Sequence, residues 1–349
     1  MRDSDGAWQS RVEDDARATL PRVVFDYLTQ GAGDGATAAE ADGWSRVRFA
    51  PHVLRDVTHV DLTGTLLGRV TAGPWGVAPT SLQRAVHPEG ELAMATACRD
   101  AGVPMVVSSN AGTTFEEIGQ TGVVWWLQVY LPADRTLAVP LLERAVAAGA
   151  GAVVLTVDTP VVGTKRVEAS VWDVVDPAMY RVNFDPGYEL APGGEKALDL
   201  GPHDLGWLAA QTGLPVVVKG VLRADDARRS IEAGAAAIWV SNHGGRQLDR
   251  ARPTREALPE VAAEVGGAVP VLVDGGIRSG LDVLAALALG ADAAFLGRLP
   301  MLALAQGRPG VADLLARLGQ ETLEAFRLAG CRSIADTRGI AVQAGPNKP

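Results

Sequence analysis

From about residue 74 onward, short apolar runs alternate with longer stretches whose apolar positions recur at helical spacing. Eight of the runs have the length and composition of strands: Trp75 to Ala78, Met105 to Ser108, Val124 to Val129, Ala152 to Val157, Val216 to Lys219, Ala237 to Val240, Val271 to Val273 and Ala294 to Leu296. Helical stretches begin near Pro88, Thr114, Asp134, Leu205, Ala224, Thr254 and Ser279, several with a Ser, Thr or Asp placed to cap the first turn. This alternation predicts an α/β fold of the (β/α)8 TIM-barrel type. A doubly wound open sheet competes with it, but the G-x-G-x-x-G turn expected after that fold's first strand is missing.

Polar and ionisable residues gather where the predicted strands end: Thr80, Ser108, Gln128 with Tyr130, Asp158, Lys219, Ser241 with His243, Asp274 and Arg298. In a barrel these ends converge on one mouth, so residues far apart in sequence become neighbours. The chain is expected to form a single domain over 1–349. Residues 1–70 form an N-terminal helical cap, with Asp26-Tyr27 inside the apolar-periodic stretch Leu20 to Leu28. Residues 71–349 form the barrel. An insertion over 167–202, rich in Pro, Gly and aromatics, follows the fourth strand as a lid. Gly163-Thr164-Lys165-Arg166 brings positive charge to its base.

With 349 residues, 47% of them hydrophobic, the chain can bury a large core. The net charge of −9 argues against nucleic acid or anionic lipid as partners. Cys98 and Cys331 form no pairing pattern or C-x-x-C motif, which fits a reducing compartment. The polar, acidic start of the sequence lacks a signal-peptide run, and no apolar stretch reaches the length of a membrane span, so a soluble cytoplasmic protein is expected.

Asp274-Gly275-Gly276-Ile277-Arg278 follows the seventh strand and Gly297-Arg298 the eighth, where barrels commonly hold phosphate. Glycine lets the backbone approach an anion, and both arginines can bond it bidentately; ordinary turn glycines and surface arginines are the alternative. Lys219, at the end of its strand, points a cation into the mouth and needs an anionic partner, which the electron-rich edge of a reduced flavin would supply; a lysine reaching solvent is the alternative. His243, between Ser241 and a Gly-Gly pair, has the pKa of a general base, and Arg246 offers a planar fork for a carboxylate. Asp158 can orient the imidazole, or else cap a helix. Tyr130 and Tyr27 present hydroxyls at the mouth, or are core aromatics. The histidines at 52, 59, 87, 203 and 243 make no metal-ligand spacing, and there is no G-x-S-x-G elbow, so no metal is expected.

The segments Leu20-Pro21, Phe25-Asp26-Tyr27, Ala78-Pro79-Thr80, His87-Pro88-Glu89-Gly90, Leu155 to Pro160, Val218-Lys219-Gly220, Ser241 to Asp249, Asp274 to Arg278 and Gly297-Arg298 give the sequence its likeness to a known family. It resembles the FMN-dependent 2-hydroxy acid oxidases and dehydrogenases, the glycolate oxidase, lactate oxidase and mandelate dehydrogenase group. The resemblance implies oxidation of an (S)-2-hydroxy acid to the 2-oxo acid, with electrons passed to O2 to give H2O2. Another acceptor and a larger, mandelate-like substrate are the alternatives within the fold; an FMN-dependent isomerase or a non-catalytic flavin binder are those outside this chemistry. It implies FMN held by Pro79, Thr80, Ser81, Ser108, Gln128, Thr156, Lys219, Ser241, Asp274, Gly275, Gly276, Ile277, Arg278, Gly297 and Arg298. His243 is implied as base with Asp158 orienting it, and Tyr27, Tyr130, Lys165 and Arg246 as the substrate-binding groups. Relatives are commonly tetramers or octamers, so a homo-oligomer is expected. The chain departs from the family's pattern at Lys165, where an arginine is usual and Arg166 follows, at Asn110, where plant glycolate oxidases carry tryptophan, at Ser81 beside the flavin, and throughout the lid.

Overall fold

The computed structural model describes residues 8–166 and 169–342. The expected cap therefore begins with 1–7 outside the described residues, as do Val167 and Glu168 at the start of the lid and 343–349 at the end of the barrel.

Two helices open the described residues, α1 (Trp8–Thr19) and α2 (Arg22–Thr29), the second burying Val24, Phe25 and Leu28. A hairpin of Gly64–Leu66 and Arg69–Thr71 follows. The pair Arg48–Phe49 with Ala341–Val342 ties the cap to the far end of the chain.

Eight parallel strands then close into a barrel: β1 (Trp75–Val77), β2 (Met105–Ser108), β3 (Trp125–Val129), β4 (Val153–Thr156), β5 (Val216–Val221), β6 (Ala237–Val240), β7 (Val271–Val273) and β8 (Ala293–Leu296). Each strand pairs with the next, and β8 returns to β1 with Ala294, Phe295 and Leu296 opposite Trp75, Gly76 and Val77. The helices α3 (Gly90–Asp100), α4 (Phe115–Gln120), α5 (Val139–Ala147), α6 (His203–Thr212), α7 (Ala224–Glu232), α8 (Thr254–Val265) and α9 (Gly280–Ala288) connect successive strands. The short α10 (Arg298–Ala303) and the long α11 (Gly307–Leu328) complete the turn after β8. The expected capping holds at Thr114 and Ser279, each of which closes a reciprocal box with the acidic residue three positions on. Among the described residues no helix is long and apolar enough to cross a membrane.

Side chains alternate along each strand, one set facing the helices and the other the barrel axis. The inner set includes Val106, Trp126, Val154, Val217, Trp239, Leu272 and Phe295, with Ala152, Ala237 and Ala293 making room for the rings. Phe295 lies 4.3 Å from the Trp239 ring and 5.7 Å from that of Trp126, centroid to centroid. The barrel interior is therefore filled, which leaves its C-terminal mouth as the place where this fold builds its active site.

The strands lie within one residue of their predicted limits, with one informative exception. β5 runs past Lys219 to Val221, and its pairing with β6 shifts between those residues. Gly220 makes the irregularity possible, at φ +116° and with the Asp158 side chain where a Cβ would stand. The lid contains three short turns, Val171–Asp173, Pro177–Met179 and Tyr188–Leu190. Asn183 pins it to the loop after β2, accepting from Phe115 N at 2.9 Å and donating to Thr113 O at 3.0 Å. Ala133 N donates to Glu195 O and Ala197 N to Leu131 O, fixing its return to the loop after β3.

Candidate active site

The loop leaving β6 carries three successive residues in the left-handed region: His243 at φ +56°, Gly244 at +62° and Gly245 at +74°. For histidine this backbone costs about 1–2 kcal/mol, and the loop is held by its own hydrogen bonds. Ser241 Oγ accepts from His243 N, Asn242 Oδ1 from Gly244 N, and Asn242 O from Gly245 N. Gly245 cannot be replaced cheaply, because a Cβ would lie 2.5 Å from Ala38 N.

This geometry aims the imidazole at Asp158. His243 Nδ1 lies 2.9 Å from Asp158 Oδ1, with Thr159 Oγ1 donating to the same oxygen at 3.1 Å. With Nδ1 so engaged, Nε2 is the nitrogen left to exchange a proton with a molecule in the mouth. Burial pushes the Asp158 carboxyl upward, but the facing His243, its hydrogen bond and Lys219 outweigh this and hold the group below the ordinary carboxylate range. An ionised carboxylate against Nδ1 stabilises an imidazolium. Among the described residues the first helical turn after Asp158 is Val171–Asp173, more than ten positions on, so Asp158 does not stand at a helix start and its carboxylate faces His243 instead.

Arg246 is held by two carbonyls, Tyr27 O at 2.7 Å and Gln30 O at 2.9 Å, and its guanidinium stacks 4.7 Å from the Tyr27 ring centre. Tyr27 meets Trp172 of the lid edge-on at 6.0 Å, and Trp172 meets Tyr180 at 5.2 Å. Cap, loop and lid thus join over the mouth through one row of rings. Burial, followed by the charge of Asp158, raises the Tyr130 phenol, so it remains a hydrogen-bond donor at neutral pH. Lys165 lines the cavity and donates to Gly163 O and Arg246 O, while Arg166 turns away to pair with Asp34 at 2.6 Å.

On the other side, buried Lys219 lies 2.9 Å from Ser241 Oγ and 3.1 Å from Asp274 Oδ2, and Ser241 donates to Asp274 Oδ1 at 2.6 Å. The anion that the sequence requires for this lysine is thus present within the protein as Asp274, and the ammonium also faces the cavity. Gln128 donates to Thr156 Oγ1 at 3.0 Å, and the Ser81 and Ser108 hydroxyls are 3.1 Å apart. Gly275 and Gly276, at φ +90° and +91°, precede Ile277 and Arg278, and Arg278 lies 3.3 Å from Glu13 of the cap. Gly297 opens α10, and a Cβ there would meet no atom within 4 Å, leaving space beside Arg298.

These residues surround one cavity of about 690 Å³, within the size range of cofactor pockets. Pro79, Thr80 and Ser81 line it from the loop after β1. Of the site residues expected from sequence, only Asp158 and Ser241 do not line it; they stand behind His243 and Lys219 as the groups that orient them. The donor set suits FMN: a cationic, glycine-rich end for a phosphate, and amide, hydroxyl and ammonium groups for a polar ring edge. Sequence reasoning missed Thr159, Trp172, Tyr180, Arg181 and Lys196. The last four arrive from the lid, and their aromatic and cationic character within a loop was the available signal.

The family described as FMN-dependent dehydrogenase matches residues 16–343. The chain is 42% identical to 4-hydroxymandelate oxidase of Amycolatopsis orientalis over 95% of its length and 96% of that protein's. It is 40% identical to glycolate oxidase of Spinacia oleracea, covering 92% of this chain and 91% of the relative. A solved structure of mandelate oxidase with (S)-4-hydroxymandelic acid superposes with a TM-score of 0.88 at 41% identity, over 95% of this chain and 97% of the other. With the barrel, the His243–Asp158 pair and the cationic cavity in place, these likenesses show that the chain belongs to the FMN-dependent 2-hydroxy acid oxidase family.

Proposed function

We propose that this protein oxidises (S)-2-hydroxy acids bearing an aromatic side chain to the corresponding 2-oxo acids, with O2 as final acceptor and H2O2 as product. The observation that carries the reading is the His243–Asp158 contact of 2.9 Å, placed on the same cavity as Arg246 and Lys219.

Arg246 and Lys165 receive the substrate carboxylate, and the Tyr27 and Tyr130 hydroxyls orient it and the 2-hydroxyl. His243 Nε2 accepts the proton that oxidation releases, and Asp158 stabilises the resulting imidazolium. When bound, FMN supplies the two-electron acceptor that the reaction needs. Its phosphate falls to the loops 275–278 and 297–298, and its ring to Pro79, Thr80, Ser81, Ser108, Gln128, Thr156 and Lys219, with Ser241 and Asp274 holding Lys219. An aromatic side chain is favoured because Trp172, Tyr180 and Val162 wall the cavity and Asn110 stands where a tryptophan would narrow it. The relatives described as mandelate oxidases support the same substrate class and acceptor. A cytoplasmic tetramer or octamer completes the reading.

The test is turnover of (S)-mandelate by FMN-loaded protein in air, with benzoylformate and peroxide expected in equal amounts. Anaerobic bleaching of the flavin without peroxide in air would move the proposal to another acceptor. A flavin that stays oxidised with mandelate, lactate and glycolate alike would leave only an isomerase or a flavin binder.

A further inference from the structure

Beyond the cations that a phosphate and one carboxylate would engage, the lid brings Lys196 and Arg181 to the mouth. Asp274 is the one carboxylate among the cavity-lining residues described, and Lys219 already engages it. Arg278 and Arg298 stand at the phosphate loops, and Arg246 with Lys165 at the carboxylate position. Lys196 and Arg181, both from the lid, are left without a role in that scheme.

Their placement is built rather than incidental. Hydrogen bonds on both sides of Lys196, from Ala133 N to Glu195 O and from Ala197 N to Leu131 O, clamp its backbone to the loop after β3. Its ammonium lies 3.9 Å from the centre of the Tyr130 ring, and among the described residues no carboxylate pairs with it. Arg181 is fixed by Val182 N donating to Ala111 O and by its own Nε donating to Asn110 Oδ1 at 2.9 Å. Both side chains line the cavity with Asn110, the residue that the proposed function sets beside the substrate's side chain. A half-buried ammonium whose close contact is a ring, with two other cations near it, is poorly compensated, and an anion entering the cavity would compensate it.

We propose that Lys196, with Arg181 beside it, recognises a second anionic group on the substrate's side chain, so that the preferred substrates are aromatic 2-hydroxy acids negatively charged at their far end. This rests on the aromatic 2-hydroxy acid reading above and narrows it. The groups facing Lys196 also set a pH limit. Burial, then the charges of Arg181 and Lys165, lower its pKa to about 8 against the opposing pull of Asp158. The ammonium is charged below that pH and neutral above it, so recognition is complete under mildly acidic conditions and fades as pH rises past about 8.

The experiment compares kcat/KM for 4-carboxymandelate and for mandelate in the FMN-loaded wild type, K196M and K196R, across pH. The wild type is expected to favour the carboxylated substrate by about tenfold, the scale of one charge-assisted hydrogen bond. That preference should disappear in K196M, persist in K196R, and fall above pH 8 in the wild type alone. A ratio near one in the wild type, or a preference that K196M and pH leave unchanged, would overturn the proposal and leave Lys196 as packing for Tyr130. Failure of mandelate itself to reduce the flavin would instead strike the functional reading on which the proposal rests.

Discussion

His243 depends on residues that do not themselves line the cavity. Its left-handed backbone is held by Ser241 and Asn242, and its ring is aimed by Asp158. Asp158 in turn has its place because Gly220 has no Cβ: an added methyl would lie 2.7 Å from the Asp158 Cβ, at a backbone φ of +116°. The G220A variant is therefore expected to lose about 1–3 kcal/mol of stability to backbone strain and to slow flavin reduction by displacing Asp158. Thermal unfolding together with anaerobic reduction kinetics checks both effects. An unchanged reduction rate in a folded, FMN-loaded variant would show that the position of Asp158 does not matter. His243, Asp158 and Arg246 were legible in the sequence because each lies at or just beyond the end of an apolar strand run. Thr159 was not, because a threonine after an aspartate looks like ordinary turn chemistry until its hydroxyl is seen 3.3 Å from His243 Nδ1.

At the scale of elements, the strands were the most legible part of the chain. Strands buried on both faces leave nearly continuous apolar runs, and a change of face is not needed to mark them. Their chemistry was less legible. Trp126, Trp239 and Phe295 resemble general core residues in sequence, yet they are the plug that makes the barrel solid and leaves its mouth as the place for the active site. Trp239 also lies beneath Lys219, 5.5 Å from its ammonium. Its replacement by alanine should cost about 3–5 kcal/mol, the range for a large ring removed from a packed core, and should weaken FMN binding as Lys219 loses its floor. Urea unfolding and flavin titration measure the two consequences separately. A W239A protein of undiminished stability would mean that the interior is not close-packed.

For the whole molecule, three separate parts of the chain meet over one mouth: the cap through Tyr27, the barrel loops through His243 and Arg246, and the lid through Trp172 and Tyr180. The lid's existence was legible from its length and composition, but its contacts were not, since loop-to-loop bonds such as Arg181 to Asn110 follow no periodicity. Lys165 illustrates the same limit. Sequence named Lys165 as the substrate-binding cation with Arg166 next to it as the other loop cation, and in the structure Lys165 lines the cavity while Arg166 pairs with Asp34. The central claim is that this assembly uses His243 as the base in oxidising a 2-hydroxy acid. It is tested most directly by anaerobic rapid mixing of (S)-mandelate with the wild type and H243A, both loaded with equal FMN. The wild type should bleach, and H243A should bleach roughly a hundredfold to ten-thousandfold more slowly while keeping its flavin spectrum, the range for loss of a general base. Equal rates in the two proteins would contradict the account.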